Sequence, residues 1–295
     1  MPSIHEPVLL KEVLRYLNPQ PGDNFIDCTF GGGGHSLAIL ELVKPEGKVL
    51  GIDWDAEAIQ DSANNNLILV NDNYRNLKKI IGGLPDFGPI NGILLDLGLS
   101  SDQLAADERG FSFQSTGALD LRFNQATGQS AAELINASNE AELIKIFTDY
   151  GEEPLAKPIA RAIIAARQQG RKIETAEELA EIVSDIYQKK FKTPSRKHPA
   201  TRVFQALRIA VNDEFGNIAT TLPQAIDLLA PGGRLAVISF HSGEDRLVKR
   251  FFKDMAGSEA PRIKLITKKP VEAGAEETAA NPRSRSAKLR VIEKN

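Results

Sequence analysis

The chain has 295 residues, 42% of them hydrophobic and 25% charged, with a formal net charge of −3. That length can bury one large core together with a sizeable insert, and the composition is that of a soluble globular protein, which excludes fibrous and disordered architectures. A mildly acidic chain has no overall attraction for nucleic acid, so any such contact must come from local basic segments.

The start, Met1-Pro2-Ser3-Ile4-His5-Glu6, lacks a basic region followed by an apolar one. No apolar run reaches the ~18–20 residues of a membrane span, so the expectation is a cytoplasmic protein without a membrane partner. The first strand signal covers about residues 24–30 and breaks into Gly31-Gly32-Gly33-Gly34-His35. A helix is predicted over Ser36–Val43, and a second apolar run at about 48–53 ends in Asp53. This is the opening of a β-α-β nucleotide-binding unit, in which glycines let the backbone approach a ligand and the later carboxylate accepts ribose hydroxyls. The spacing is not Gly-x-Gly-x-x-Gly, which argues against a pyrophosphate. Asp27, at the first strand end, is better placed to hold an ammonium or the water around one. S-adenosylmethionine has an ammonium, a ribose and an adenine but no phosphate, so it is the expected cofactor. Cys28, the single cysteine, reads as a packing residue.

A helix is predicted over Asp55–Asn64, followed by strands at about 67–71 and 90–97. The alternation implies a parallel sheet. After the third strand, Tyr74 either brackets an adenine ring or packs. After the fourth, Asp96 and the carbonyls of Leu97 and Gly98 can hold the protons of an amine nucleophile, while Asp96 can equally orient the cofactor. The Asp/Asn-Pro-Pro-Tyr/Phe tetrapeptide of many amino-methylases is absent.

More than a hundred residues then separate Asp96 from the next strand near Gly233, much more than a crossover requires. Residues 106–200 are read as a helical insert, and Thr201–Leu229 as helices returning to the sheet. Ser130-Ala131-Ala132-Glu133 and Thr175-Ala176-Glu177-Glu178 have the capping-box form. Leu179, Ile182, Val183, Ile186 and Tyr187 share one helical face, and Gly170 reads as a helix stop. The stretch Lys189, Lys190, Lys192, Arg196, Lys197 and Arg202, interleaved with Phe191 and His198, can neutralise phosphates and offer a ring to a base, or be a solvated loop.

Strands are predicted again at about 233–240, 263–268 and 287–293, making seven in a doubly wound sheet. Gly274–Ala280 reads as a loose exposed loop. Arg283, Arg285, Lys288 and Arg290 form a second basic set. The histidines, His5, His35, His198 and His241, are dispersed, and with one cysteine no zinc-ligand spacing exists, so no metal is expected. His35 is a cofactor contact or a cap, and His241 a substrate-facing or a structural residue.

These stretches together resemble the RsmH (MraW) family of small-subunit ribosomal RNA methyltransferases. The resemblance rests on His5-Glu6-Pro7-Val8-Leu9, Asp27-Cys28-Thr29-Phe30 with the glycines, Leu95-Asp96-Leu97-Gly98-Leu99-Ser100-Ser101 and Glu108-Arg109-Gly110-Phe111-Ser112-Phe113. Asp120-Leu121-Arg122-Phe123, Phe204 to Asn212 and Pro231-Gly232-Gly233-Arg234-Leu235 complete it. The resemblance implies a Rossmann-like class I methyltransferase domain over 1–105 and 201–295, with the insert at 106–200 recognising substrate. It also implies methyl transfer from S-adenosylmethionine to the N4 amine of a cytidine in the decoding region of 16S ribosomal RNA. By position, the family's cofactor contacts fall on Gly33, Gly34, His35, Asp53, Tyr74, Asp96 and Gln103. This chain departs from the family at Gly243, where leucine is usual, and at Tyr74, where phenylalanine is common. Competing readings are a non-catalytic assembly factor that senses the cofactor and a nicotinamide oxidoreductase. An isologous dimer is compatible with the sequence, which does not demand one.

Overall fold

The structure, a computed structural model, describes residues 7–59, 65–99, 103, 107–113, 115–191 and 198–295. The chain divides into two compact units, one formed by residues up to Gly98 and from Phe215 onward, the other by Leu99–Glu214.

The first unit is a seven-stranded sheet with strands β1 (Phe25–Asp27), β2 (Val49–Asp53), β3 (Leu67–Asn71), β4 (Ile90–Asp96), β5 (Leu229–Ser239), β6 (Ile263–Leu265) and β7 (Lys288–Lys294). Their spatial order is β3-β2-β1-β4-β5-β7-β6. β1 to β5 run parallel and β7 antiparallel between β5 and β6. This is the Rossmann-like class I arrangement, with the order reversing beside β1.

Alternate side chains along the strands separate into two apolar layers. Ile26, Leu50, Ile52, Ile93, Leu95, Leu235 and Val237 face one way, and Phe25, Val49, Leu94, Ala236 and Ile238 the other. The second layer is covered by α1 (Leu10–Leu17) through Val13 and Leu17, and by α2 (Gly34–Val43) through Ile39, Leu40 and Val43. Over the first layer lies α3 (Leu77–Gly82), through Leu77 and Ile80. β5 begins at Leu229, earlier than its apolar run suggests, because the Pro231-Gly232-Gly233 turn is absorbed as an irregularity between the pairs Ile90–Leu229 and Gly92–Arg234.

The insert consists of α4 (Ala131–Ala137), α5 (Glu140–Asp149), α6 (Ala156–Gln168), α7 (Ala176–Lys190) and α8 (Thr201–Asn212) around its own core. Both expected capping boxes form, Ser130 with Glu133 and Thr175 with Glu178, and a third joins Asn139 to Glu142. Gly170, at φ +82°, follows α6 as its stop. The unit boundaries are 99 and 215 rather than 106 and 201. The reason is α8, whose Val203, Phe204, Ala206 and Leu207 pack in the insert core. Asn212 then fastens its end, accepting from Phe123 N (2.8 Å) and donating to Leu121 O (2.7 Å). Only α9 (Glu214–Leu228) and α10 (Ser242–Ala256) return to the sheet's first layer, through Ile218, Leu222, Val248 and Phe252.

Two local expectations change. In place of a helix over Asp55–Asn64 there is one 3₁₀ turn, Ala56–Ala58, capped by Asp55, and residues 60–64 lie outside the described residues. Gly274–Ala280 is exposed as expected but not loose, since α11 (Ala275–Ala280) forms there. Glu276 and Glu277 complement its N-terminus, the Thr278 hydroxyl donates to Gly274 O (2.9 Å), and Leu9 N donates to the Glu277 carboxylate (2.7 Å). Among the described residues no helix is long and apolar enough to cross a membrane.

Candidate functional site

The carboxyl ends of the parallel strands bring Asp27, Asp53, the segment after Asn71, and Asp96 to one edge of the sheet, where ligands bind in this architecture. The Phe30 N–H bonds to Ile52 O (2.9 Å), carrying the chain from β1 across to β2. A tight turn then enters α2, with Gly33 at φ +75°. A Cβ there would lie 2.8 Å from the tip of the Phe30 ring. Glycine is therefore required both by the backbone angle and by the close approach.

Asp53 closes this turn. Its Oδ2 accepts Gly31 N (2.8 Å) and its Oδ1 accepts Asp55 N (2.8 Å). The residues after β3 meet the same place, because Asp72 N (3.1 Å) and Asn71 Nδ2 (2.9 Å) both donate to Asp53 O. Tyr74 opens a 3₁₀ turn capped by Asn73 and is half-buried against the first-layer core. Its ring has a packing role whatever else it does.

Asp27 does not present its carboxylate to a ligand. It is 1% exposed, with Oδ2 accepting the Ser36 hydroxyl (2.7 Å) and Oδ1 accepting Thr29 N (3.1 Å) and Oγ1 (3.3 Å). Thr29 Oγ1 in turn accepts Asp96 N (2.7 Å). The end of β1, the start of α2 and the end of β4 are thus joined through the Asp27 carboxylate and two hydroxyls, Ser36 and Thr29. Neither Thr29 nor Ser36 was singled out from sequence, since isolated hydroxyls carry no spacing signal.

His35 is buried, with Nε2 3.0 Å from Val8 O and Nδ1 3.6 Å from Asp96 Oδ2. Its ring nitrogens face protein groups, so it is not a simple helix cap. Asp96 Oδ1 is buried and has no hydrogen-bond partner among the described residues. Such an atom costs free energy unless something else satisfies it.

The electrostatics of the edge are unusual. Burial pushes the Asp53 carboxyl up to about 6, against the pull of its two backbone N–H bonds. Burial likewise pushes Asp96 up to about 6, opposed by His35 and Arg283 and reinforced by Asp27 and Glu244. Asp27 is raised by burial, and the Cys28 thiol lies well above its usual value for the same reason. The edge is negative, which suits a cationic ligand and opposes a pyrophosphate. A glycine turn beside the carboxylates of Asp53 and Asp96 fits the chemistry of S-adenosylmethionine.

Gln103 is buried in the second unit. His241 takes the structural reading as the N-cap of α10, with its Nδ1 accepting Glu244 N (3.4 Å). Glu244, missed from sequence, is fully buried and accepts Phe240 N (2.8 Å) and His241 N (3.2 Å). Gly243 does not loosen the helix start, because that capping box is intact. A Cβ at this position would come within 2.6 Å of Phe215 Cζ and 3.2 Å of His241 Nδ1, so the glycine makes room for the Phe215 ring. In the second basic set Arg290 is buried and doubly bonded to Asp245 (2.7 and 3.1 Å), which removes it from any nucleic-acid surface. In the insert, Phe191 is 47% exposed beside Lys189 and Lys190 at the end of α7. Residues 192–197 of that stretch lie outside the described residues, as do His5, Glu6, Ser100 and Ser101.

The profile of the MraW methylase family matches residues 2–295. The ribosomal RNA small subunit methyltransferase H of Thermomicrobium roseum is 48% identical over 311 aligned residues, covering 99% of this chain and 94% of that protein. The protein of the same name from Heliobacterium modesticaldum is 44% identical, covering 98% of each. Among solved structures, an rRNA methylase from Streptococcus thermophilus aligns with a TM-score of 0.43 at 11% identity, covering 99% of this chain and 98% of that one. A likeness that distant carries no argument about the site.

Proposed function

The chain belongs to the MraW methylase family and is an S-adenosylmethionine-dependent methyltransferase, and we propose that its acceptor is the N4 amine of a cytidine in the decoding region of 16S ribosomal RNA. The single observation that carries the site assignment is Asp96, a carboxylate at the end of β4 with one buried oxygen left unpartnered.

Bound S-adenosylmethionine supplies an electrophilic methyl group. In this reading Asp53 holds the ribose hydroxyls, Gly33 and Gly34 let the backbone approach, and Tyr74 borders the adenine. An exocyclic base amine is a poor nucleophile because its lone pair is delocalised into the ring. The Asp96 carboxylate, with the carbonyls of Leu97 and Gly98, accepts the amine hydrogens, localising the lone pair and fixing the line of attack. Positioning of this kind supplies much of the acceleration. No covalent enzyme intermediate is involved, consistent with the buried, strongly raised Cys28 thiol. The insert is assigned to RNA recognition through the basic stretch that includes Lys189, Lys190 and Arg202 with Phe191, acting in the cytoplasm where subunits assemble. Gln103 is assigned to the cofactor by its position in the family pattern.

The test is to incubate the protein with labelled S-adenosylmethionine and small ribosomal subunits from cells lacking this activity, then identify the labelled nucleoside by mass spectrometry. The expected product is N4-methylcytidine at one site. Label in any other nucleoside, or none despite donor binding, contradicts the proposal.

A further inference from the structure

We propose that His35 is a positioning residue, whose imidazole links the chain segment Pro7–Leu9 to Asp96 and fixes the direction in which the Asp96 carboxylate is turned. The proposal rests on reading Asp96 as the acceptor-side carboxylate.

A carbonyl oxygen only accepts, so the 3.0 Å contact of His35 Nε2 with Val8 O fixes the hydrogen on Nε2. Nδ1 is thereby aimed at Asp96, with Oδ2 at 3.6 Å. At that distance the ring and the carboxylate attract each other without a direct hydrogen bond, and the attraction sets which way the carboxylate turns. The Asp96 backbone is pinned separately by Thr29 Oγ1, so His35 governs the side chain alone.

The far end of the link is itself held. Val8 and Leu9 are buried, and Leu9 adopts a left-handed φ of +56°, an uncommon conformation for a branched side chain. Its N–H donates to Glu277 (2.7 Å) and its carbonyl accepts Val13 N (2.8 Å). The Pro7 ring lies within 2.9 Å of where a Cβ on Gly34 would stand. The segment is thus clamped onto the start of α2, giving His35 a fixed anchor rather than a mobile one. The charged groups acting on Asp96 are His35 from α2, Asp27 from β1, Glu244 from α10 and Arg283 from the 3₁₀ turn Pro282–Ser286.

The test uses the full-length protein and pairs kinetics with nuclear magnetic resonance. His35→Gln keeps an amide donor for Val8 O but removes the ring nitrogen facing Asp96. Its single-turnover transfer rate at saturating donor should fall at least tenfold, and the pH midpoint of the rate should move upward because a group that lowers Asp96 is gone. Unchanged rate and midpoint would overturn the proposal. In the wild-type protein with ¹⁵N-labelled histidine, the His35 ring should carry a hydrogen on Nε2 at every pH at which the protein is folded, and Asp96→Asn should shift its Nδ1 signal. A hydrogen on Nδ1 alone would overturn the proposal even if the glutamine variant does not fold. Should Asp96→Asn transfer methyl groups normally, the acceptor-carboxylate reading fails; should it be inactive while His35→Gln behaves as wild type, only the His35 assignment fails.

Discussion

In the sheet unit, burial holds the Asp53 and Asp96 carboxyls at about 6, whereas in the insert Asp120 and Glu178 lie below the usual carboxylate range. The reasons differ in kind. Burial also pushes Asp120 upward, but Arg122 donates to it through Nε (2.8 Å), Nη2 (2.7 Å) and backbone N (3.0 Å), which more than offsets the penalty. Glu178 is lowered first by the Glu174 N–H and also completes a capping box. Carboxylates in the insert therefore stabilise its fold, while those at the sheet edge are kept charged at a cost. Groups held against their own solvation are characteristic of functional sites.

The largest effect that sharpens this contrast is on donor binding. Asp53→Ala should weaken S-adenosylmethionine affinity about 10- to 100-fold, since hydrogen bonds to a charged group contribute about 1.5–3 kcal/mol. Calorimetry checks it, and unchanged affinity would remove Asp53 from the donor site. In the insert, Asp120→Ala should lower unfolding stability by about 2 kcal/mol, read from urea melts, without touching donor affinity. A loss of affinity at constant stability would erase the distinction between the units.

Next in size is the pH dependence. The folded carboxyls at about 6 bind protons that the unfolded chain, near 4, releases. These two groups thus make the protein more stable near pH 5 than at pH 7, the penalty growing as pH rises from about 4 to 6. Donor binding, which uses ionised Asp53, should run the opposite way and weaken about fivefold from pH 6 to pH 5. Parallel trends in the two measurements would break the account. The smallest effect concerns packing. Gly243→Ala, early in α10, would ordinarily gain up to about 1 kcal/mol of helix propensity, but crowding of Phe215 should cancel or reverse that gain. Adding Phe215→Leu should restore it in a double-mutant cycle.

Much of this was legible in the sequence. The apolar runs located all seven strands, most clearly β1, β2 and β4, whose burial on both faces leaves an unbroken signal. The Ser130 and Thr175 caps were readable because a capping box has fixed spacing. Asp53 and Asp96 were found as the polar residues ending two such runs. What was not legible depends on contacts distant in sequence. Leu9 and Glu277 are 268 positions apart, and the Thr29–Asp96 bond spans 67. The helix Ala275–Ala280 was missed because alanine and glutamate without an apolar stripe give no periodicity, although both are good helix formers. The insert boundary was misplaced because α8 is as amphipathic as the helices that do return to the sheet.

The most direct test of the central contrast is Asp96→Asn, measured for unfolding stability and single-turnover methyl transfer on the same preparation. The account predicts stability equal to or above wild type, since a buried charge with an unpartnered oxygen is removed, with transfer falling at least about 100-fold. Reduced stability together with wild-type transfer per folded molecule would contradict it, making Asp96 a structural residue like Asp120.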